Sequence, residues 1–435
     1  NVNLSDLAAA NVGEFAIDFV GLYTCVTNGD TISYDLPKNA PFSVVFTAAA
    51  NCRFEGARKT STTSFASGIN SVTTLTAQDI PVAVACPAWS LDLTTNVKQA
   101  YLVSGNVRLK VTTTQVGKTT EYLHVVTKTS EAGDSYTGLE ISGVDTLDGE
   151  TVIDLSAVAD GAGYDVVSMT SSAFAGQAVV SVVAPQVVYL DYGIFNGCAA
   201  LTSVTLSPNL YYIGGRAFMQ TSALTDLQPH VFAKFETFNV SDRYNFKMSA
   251  VSGDYVFGRV KVLPEQCFQA CTNLTSVRFP ECERVVDSCF NGCSSLTNFC
   301  APKAIDFKAS ALIACPKLAT VEFSTAVTNI AGSAFYQDVI ESLPEANWTN
   351  LLYLGGSNFA FSKAEMGDVN VPLLTTLAGR NFQNAKVTSC YAPLVETIGE
   401  YAFDYCSKMT NLTIKGSAGC FIANYAFRGA HSLKD

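Results

Sequence analysis

From residue 169 to the end of the chain, apolar side chains return in one frame every 21 to 24 residues. Ile213-Gly-Gly-Arg-Ala-Phe218 recurs as Ile330-Ala-Gly-Ser-Ala-Phe335 and as Ile398-Gly-Glu-Tyr-Ala-Phe403. The same spacing, an apolar residue five positions before a Phe, links Met169 to Phe174, Leu354 to Phe359, Leu377 to Phe382 and Ile422 to Phe427. Anchoring on that aromatic gives Phe174, Phe195, Phe218, Phe268, Phe290, Leu312, Phe335, Phe359, Phe382, Phe403 and Phe427. One interval breaks the period: 50 residues separate Phe218 from Phe268. That is about two periods, so Thr221 to Cys267 is expected to hide one degenerate repeat.

After each anchor comes a turn, often with Cys at its third position, then a Leu and a short strand. Phe195-Asn-Gly-Cys-Ala-Ala-Leu-Thr-Ser-Val-Thr-Leu206 and Phe268-Gln-Ala-Cys-Thr-Asn-Leu-Thr-Ser-Val-Arg-Phe279 show the pattern. Within Leu-x-x-Val-x-Leu the last two apolar residues alternate with polar ones, the period of a half-buried strand. Each repeat therefore supplies one short strand, stacked in parallel about 4.8 Å from its neighbours. No single repeat can bury its apolar face alone, so the array must be long to share one core.

The frame apolar-Gly-x-x-Ala-Phe-x-x-Cys-x-x-Leu-x-x-Val-x-Leu-Pro resembles the BspA-type leucine-rich repeat, with Pro280 and Pro302 at that family's strand-ending position. The resemblance runs from about Leu139 to the end, departing at Thr221 to Tyr255 and at Leu312. It implies a surface or secreted protein used for adhesion to host proteins, cells or glycans, and brings no catalytic residues.

Residues 1–137 do not fit the frame. Runs such as Phe15 to Cys25, Phe42 to Phe46, Ile80 to Ala85, Val107 to Thr113 and Glu121 to Thr127 are rich in Val, Thr, Tyr and Phe and bounded by turn residues. The fold class is thus mostly β. An N-terminal β-sandwich-like, immunoglobulin-like domain over 1–137 is followed by a solenoid over 138–435, irregular at about 221–255. Ser130 to Gly138 reads as the linker.

Charge narrows the partners. The net charge is −11, and no basic run occurs, so nucleic acid is not an expected partner. Val179 to Leu190, the most apolar stretch, is too short to span a bilayer. The chain opens on Asn1 without a basic, apolar leader, and a processed N-terminus with export to the cell surface or medium is the expectation. Of the 14 cysteines, Cys198, Cys271, Cys293, Cys315 and Cys406 share the third position after the anchor. That regularity predicts buried, reduced thiols packed as small hydrophobes. Cys25, Cys52 and Cys86, outside the repeats, leave room for one disulfide.

Candidate chemistry is sparse. His124, His230 and His431 lie far apart, and no Cys-x-x-Cys pair occurs, so no metal and no cofactor is expected. Gly117-Lys118-Thr119 has Thr112 where a phosphate loop needs Gly, and reads as a turn. The surface with binding potential is the outer face of the stacked strands. On it Thr205, Arg278, Glu322, Asn370, Tyr391 and Thr413 are the candidate ligand-binding residues for a protein or glycan. Trp348 reads as core, with an exposed anchor as its alternative. An extracellular binding or adhesion protein without enzymatic activity is the expected function. The alternative is a structural subunit of a surface filament or virus particle, with the repeats as spacer. The last residues, Phe427 to Asp435, hold the turn and first Leu of a new repeat, so further repeats or a partner are expected at that edge.

Overall fold

Each period of the repeat closes into one turn of a coil with three walls, using two strands where the sequence pattern predicted one. The computed structural model describes residues 2–10, 12–18, 24–29, 31–35, 42–48, 52–54, 60–65, 83–85, 88–92, 99–104, 107–116, 120–123, 126–156, 165–238, 243–336, 340–414 and 419–434. They form two compact units: Asn1–Val125 with Val144–Glu150 and Asp154–Val166, and Val126–Gly143 with Thr151–Ile153 and Val167–Asp435. His124, Gly117 to Thr119, Cys86 and the side chains of Cys25 and Cys52 lie outside the described residues.

The first unit is all-β in its described part apart from one six-residue helix, Leu4–Ala9. Its strands pair antiparallel: Phe42–Ala48 lies between Val12–Asp18 and Thr60–Phe65, and Gln99–Ser104 between Ala88–Asp92 and Val107–Val111. In Val107–Val111 buried Val107, Leu109 and Val111 alternate with half-buried Arg108 and Lys110, the mark of a strand with one face on a core.

In the second unit, the first wall is the sheet expected from Leu-x-x-Val-x-Leu. Ser181–Val183, Ser203–Thr205 and Asp226–Gln228 pair in parallel and in register. A second run joins Gly253–Phe257, Leu274–Arg278, Asn298–Ala301 and Thr320–Phe323, and a third joins Glu365–Asn370, Lys386–Ala392 and Asn411–Ile414. The second wall consists of two-residue strands ending on the apolar residue five before the anchor, such as Tyr189–Leu190, Tyr212–Ile213, Asn329–Ile330 and Thr397–Ile398. Leu190, Ile213, Ile330 and Ile398 point into the core while the residue before each is half-buried. Two residues are too few to display alternation, which is why the sequence pattern did not reveal this sheet.

The third wall is a stack of tight turns around the anchor. Positions two before and two after it take a left-handed backbone wherever they are described, for example Ser288 (φ 54°) and Gly292 (φ 77°) around Phe290. That geometry aims the amides of Ser288, Phe290 and Gly292 at the carbonyls of Ala309, Ala311 and Ile313 in the next turn, at 3.0, 2.7 and 3.0 Å. Backbone polar groups are thus satisfied between turns as in a sheet, although the chain is bent. The glycine of the frame is dictated by closeness: a Cβ on Gly214 would lie 2.5 Å from the Asp191 carbonyl carbon, and one on Gly399 2.4 Å from the Gly379 nitrogen.

The anchors stack through the centre. Phe174, Phe195 and Phe218 follow one another at centroid spacings of 5.6 and 5.4 Å, and Phe335, Phe359, Phe382, Phe403 and Phe427 at 5.5, 6.1, 5.3 and 5.5 Å. The long interval is filled by Phe246, stacked between Phe218 and Phe268 at 4.8 and 5.0 Å. The extra residues of that turn splice the first wall. Asp226–Gln228 pairs back to Ser203–Thr205, whereas Val231–Phe232, just beyond Pro229, pairs forward to Gly253–Phe257. Trp348 is core: it has no exposed surface and lies 5.3 Å from Phe359.

The cysteines at the third position after the anchor are free and buried, and they do more than fill space. Cys198, Cys271, Cys293, Cys315 and Cys406 each donate an S–H to the carbonyl of the preceding turn's anchor: Phe174, Phe246, Phe268, Phe290 and Phe382, at 2.8 to 3.2 Å. Ser362, at the same position, donates to Ile340 O instead, at 3.2 Å. The site takes a small side chain, with a donor in Cys, Ser362 and Thr221 and without one in buried Ala385. Burial pushes the Cys198 thiol up to about 11 and the Cys406 thiol to about 12, keeping the proton those bonds need.

Ser130 to Gly138, read from sequence as a linker, is the tip and return strand of a hairpin in which Val126–Thr129 pairs with Ser135–Thr146. The tip is tied down, since the amides of Glu131 and Ala132 donate to the Glu236 carboxylate at 2.6 and 3.2 Å.

Candidate recognition surface

The six residues singled out from the sequence all sit on the outer side of the first wall, but in three separate runs. Thr205 is half-buried in the first. Arg278 and Glu322 are exposed two strands apart in the second, bridged by Cys300, which accepts from Arg278 Nη1 at 2.8 Å and donates to Glu322 Oε2 at 2.8 Å. Burial, reinforced by the Glu322 carboxylate, raises the Cys300 thiol to about 12, so it is a hydrogen-bonding spacer and not a nucleophile. Asn370, Tyr391 and Thr413 lie side by side in the third run. Asn370 donates to Asn347 Oδ1 at 2.7 Å, and nearby Asp368 accepts from Thr388 and Ser389 at 2.8 and 2.6 Å. Much of this face's hydrogen-bonding capacity is therefore spent between turns. Tyr391 is the only aromatic among the six, with 48% of its surface exposed, while the exposed Arg278 and Glu322 face each other at 3.9 Å.

The third wall is different, and sequence reading passed over it. In the middle of the array most of the two left-handed positions of each turn are held by Gly, Ala or polar residues, including Ser288, Ser310, Ser333 and Ser357, with Phe361, 59% exposed, the bulky exception. Toward the C-terminal turns they become Arg380, Tyr401, Tyr405 and Tyr425, at φ values of 57 to 60°. A left-handed backbone costs a residue with a Cβ roughly 1–2 kcal/mol, and bulky side chains rarely adopt it. These side chains are also partly free: Tyr405 is 50% and Tyr425 55% exposed.

A buried carboxylate organises the group. Asp404, directly after anchor Phe403, is fully buried and accepts both Arg428 Nε and Nη2, at 2.8 and 2.9 Å, together with Gln383 Nε2 at 2.9 Å. The Arg428 hydrogen bonds hold the Asp404 carboxyl below the usual carboxylate range against the opposing effect of burial. The fixed guanidinium of Arg428 then lies 5.1 to 5.3 Å from the ring centres of Tyr401, Tyr405 and Tyr425. Tyr401 and Tyr425 stack at 5.2 Å and 10°, and Arg380 covers Tyr401 at 5.1 Å. Tyr405 rests on Gly429, where a Cβ would meet its ring at 2.5 Å. The result is a rigid block of three tyrosines and two arginines whose edges face solvent. Such residues carry most binding energy at protein interfaces, in part because they have little side-chain freedom left to lose.

A smaller group of the same kind occupies this wall near its other end, where Arg216 lies 5.7 and 5.6 Å from the rings of Tyr192 and Tyr244, and Lys247 lies 4.6 Å from Tyr244. The signal was present in the sequence as Tyr401-x-Phe403-x-Tyr405 and Tyr425-x-Phe427, but its weight is visible only once the wall is known to be exposed. No group of His, Cys, Asp and Glu able to hold a metal ion occurs among the described residues, nor is any helix there long and apolar enough to cross a membrane.

The BspA type leucine-rich repeat region matches the chain in six copies, over residues 167–247, 242–359 and 349–435. A leucine-rich repeat protein from Bacteroides ovatus shares the fold at 19% identity and a TM-score of 0.50, covering 71% of this chain and 79% of its own. A leucine rich cell surface protein from Faecalibacterium prausnitzii is 16% identical with a TM-score of 0.38, covering 73% and 95%. No curated protein matches the sequence. With a repeat region that spans more than half of its length, the chain belongs to the BspA-type leucine-rich repeat family.

Proposed function

We propose that this chain is a secreted or cell-surface binding protein. In this reading it recognises a protein ligand through the turn wall of its solenoid, with Tyr401, Tyr405, Tyr425 and Arg428 at the centre, and carries out no chemistry. One observation carries the reading: three tyrosines stand clustered and partly exposed at left-handed positions that Gly, Ser or Ala fill in many other turns. Packing does not require them there, and a rigid tyrosine–arginine block is the composition of an interface hot spot. The extended array suits such a role, because each turn adds surface without changing the core.

The test is a binding screen of the whole chain against an array of extracellular host and bacterial proteins. It is repeated with Tyr405→Ser/Tyr425→Ser on the turn wall and Arg278→Ala/Thr413→Ala on the sheet wall. The reading expects a partner whose affinity falls by about tenfold or more in the turn-wall variant, as at interface hot spots, and is unchanged in the sheet-wall variant. A partner lost only with the sheet-wall variant would overturn it.

A further inference from the structure

Resting on that reading, we propose that the occupant of the turn wall is an acidic, extended segment of a protein partner, whose carboxylates pair with Arg216 at one end of the wall and Arg380 at the other.

The chain is strongly acidic, with 38 carboxylate residues against 27 Lys and Arg. On the strand walls many cations are matched by carboxylates: Arg284 with Asp306 at 2.9 Å, Lys303 with Glu281 at 2.6 Å, Lys386 and Lys408 with Glu365 at 2.9 and 3.1 Å. Arg216, Lys247 and Arg380 have no carboxylate within ion-pair distance among the described residues. Arg216 and Arg380 lie over tyrosine rings, and Lys247 pairs with Tyr244 and the neutral Gln266. Of the carboxylates near them, Asp404 is buried under Arg428, Glu265 is paired with Arg243 at 3.0 Å, and Glu400, exposed in the turn after Arg380, makes no ion pair with it within 4 Å. A guanidinium stacked on an aromatic face keeps its N–H edges free, which is the geometry for a bidentate carboxylate.

The packing selects between ligand classes. A sugar ring recognised by an aromatic needs an open ring face. Tyr401 belongs to the turn between those of Arg380 and Tyr425, and these two cover its opposite faces. At Tyr401, which both neighbours cover, what remains outward are hydroxyl and guanidinium edges, which suit carboxylates and backbone carbonyls. From the turn of Arg216 to the turn of Arg380 is seven steps of about 4.8 Å, roughly 34 Å, which about ten extended residues span at ~3.3 Å each. Between them one row of left-handed positions carries Ser288, Ser310, Ser333 and Ser357, small enough to let a backbone lie close, flanked by exposed Met248 and Phe361, whose apolar side chains a partner segment would also meet.

The probe is a fluorescein-labelled peptide of about twelve residues, alternating Glu and Ser, titrated by anisotropy into the whole chain at low salt. A Lys/Ser peptide of equal length and a heparin fragment serve as comparators. The acidic peptide should bind, the basic one should not, and affinity should weaken with added salt as exposed charges are screened. Arg216→Gln/Arg380→Gln should lower affinity about tenfold or more while leaving the thermal transition in place, as expected when charged interface pairs are lost. Equal binding by that variant, or binding of heparin with none of the peptide, would overturn the proposal. The two readings fail separately. A natural partner lost with Tyr405→Ser/Tyr425→Ser but indifferent to Arg216→Gln/Arg380→Gln removes the acidic segment and keeps the surface.

Discussion

Phe218 and Phe246 stack face to face, with ring centres 4.8 Å apart and planes 7° from parallel, across 28 residues of chain. The repeat is therefore continuous through the one region where its period fails in the sequence. Phe246 also sits 5.0 Å from Phe268, so it joins the turns on either side of the spliced sheet.

Replacing that ring should split the array. Phe246→Ala is expected to cost about 3–5 kcal/mol, the range for a buried Phe whose cavity cannot collapse. Because each turn contacts only its neighbours, the loss should also separate the unfolding of the turns before and after it. Urea denaturation followed by both fluorescence and circular dichroism would show this. A change below about 1 kcal/mol with coincident single transitions would mean the ring is not a joint.

What the sequence revealed follows from how each feature is encoded. The anchors and the Leu-x-x-Val strands were legible because burial at a fixed period forces Phe195, Phe218 or Val277 to recur. The two-residue strands ending at Ile213 or Ile398 were not, since nothing in a pair of residues marks a period. Phe246 was hidden because the inserted residues after Asp226 shift its frame, although its place was implied by the length of the gap. The six sheet-face candidates were chosen for pointing outward, which is true of them. Outwardness alone does not distinguish Thr205 from Tyr405; the left-handed backbone and the Asp404–Arg428 pair do, and both are tertiary facts.

The buried thiols give a chemical prediction. Cys198, Cys271, Cys293, Cys315 and Cys406 should resist iodoacetamide in the folded chain at pH 8, and all should react after denaturation. Two causes act together: burial removes access, and desolvation raises the Cys198 and Cys406 thiols to about 11 and 12, leaving almost no thiolate. Mass mapping of the alkylated sites checks it. Cys406→Ser should be tolerated, because Ser362 already serves at that position. Cys406→Ala should cost more, about 0.5–1.5 kcal/mol, by removing one of the two hydrogen bonds the buried Phe382 carbonyl accepts, the other coming from the Ala385 amide at 2.9 Å. Rapid native labelling of these five positions would contradict the packing described.

The Asp404–Arg428 pair makes stability depend on pH in a stated direction. Its folded carboxyl is depressed, so the stabilisation is fully present above the ordinary Asp value of about 3.9 and is lost as pH falls through the lower folded value. Arg428→Ala leaves that carboxylate buried and without its cation. The variant should melt well below the wild type at pH 7, and the gap between them should narrow below about pH 4, as protonation removes the advantage of the pair. Melting curves at a series of pH values decide it. A gap that stays constant down to the lowest pH would show that Arg428 acts only by packing on the tyrosines.

One anchor is not aromatic. Leu312 stands where eleven other turns place a Phe, between Phe290 and Phe335 in the stack. In the same turn, the inward residue five positions earlier is Phe307, where the neighbouring turns have Val285 and Ile330. The ring has moved from the anchor to the second wall: Phe307 packs 5.2 Å from Phe335, and Phe299 packs edge-on to Phe290 at 5.4 Å. Leu312→Phe alone should overfill this layer and cost about 1–3 kcal/mol. Phe307→Ile alone should leave a hole and destabilise by a similar amount, since a large side chain becomes a smaller one in a core that relaxes only partly. Combined, the two substitutions restore the frame of the other turns. The double variant should therefore be more stable than the sum of the singles predicts, with a coupling of about 0.5–3 kcal/mol. A double-mutant cycle by urea denaturation measures that coupling directly. Strict additivity would show that Phe307 and Leu312 fill separate spaces, and that the missing ring at position 312 is compensated elsewhere in the stack.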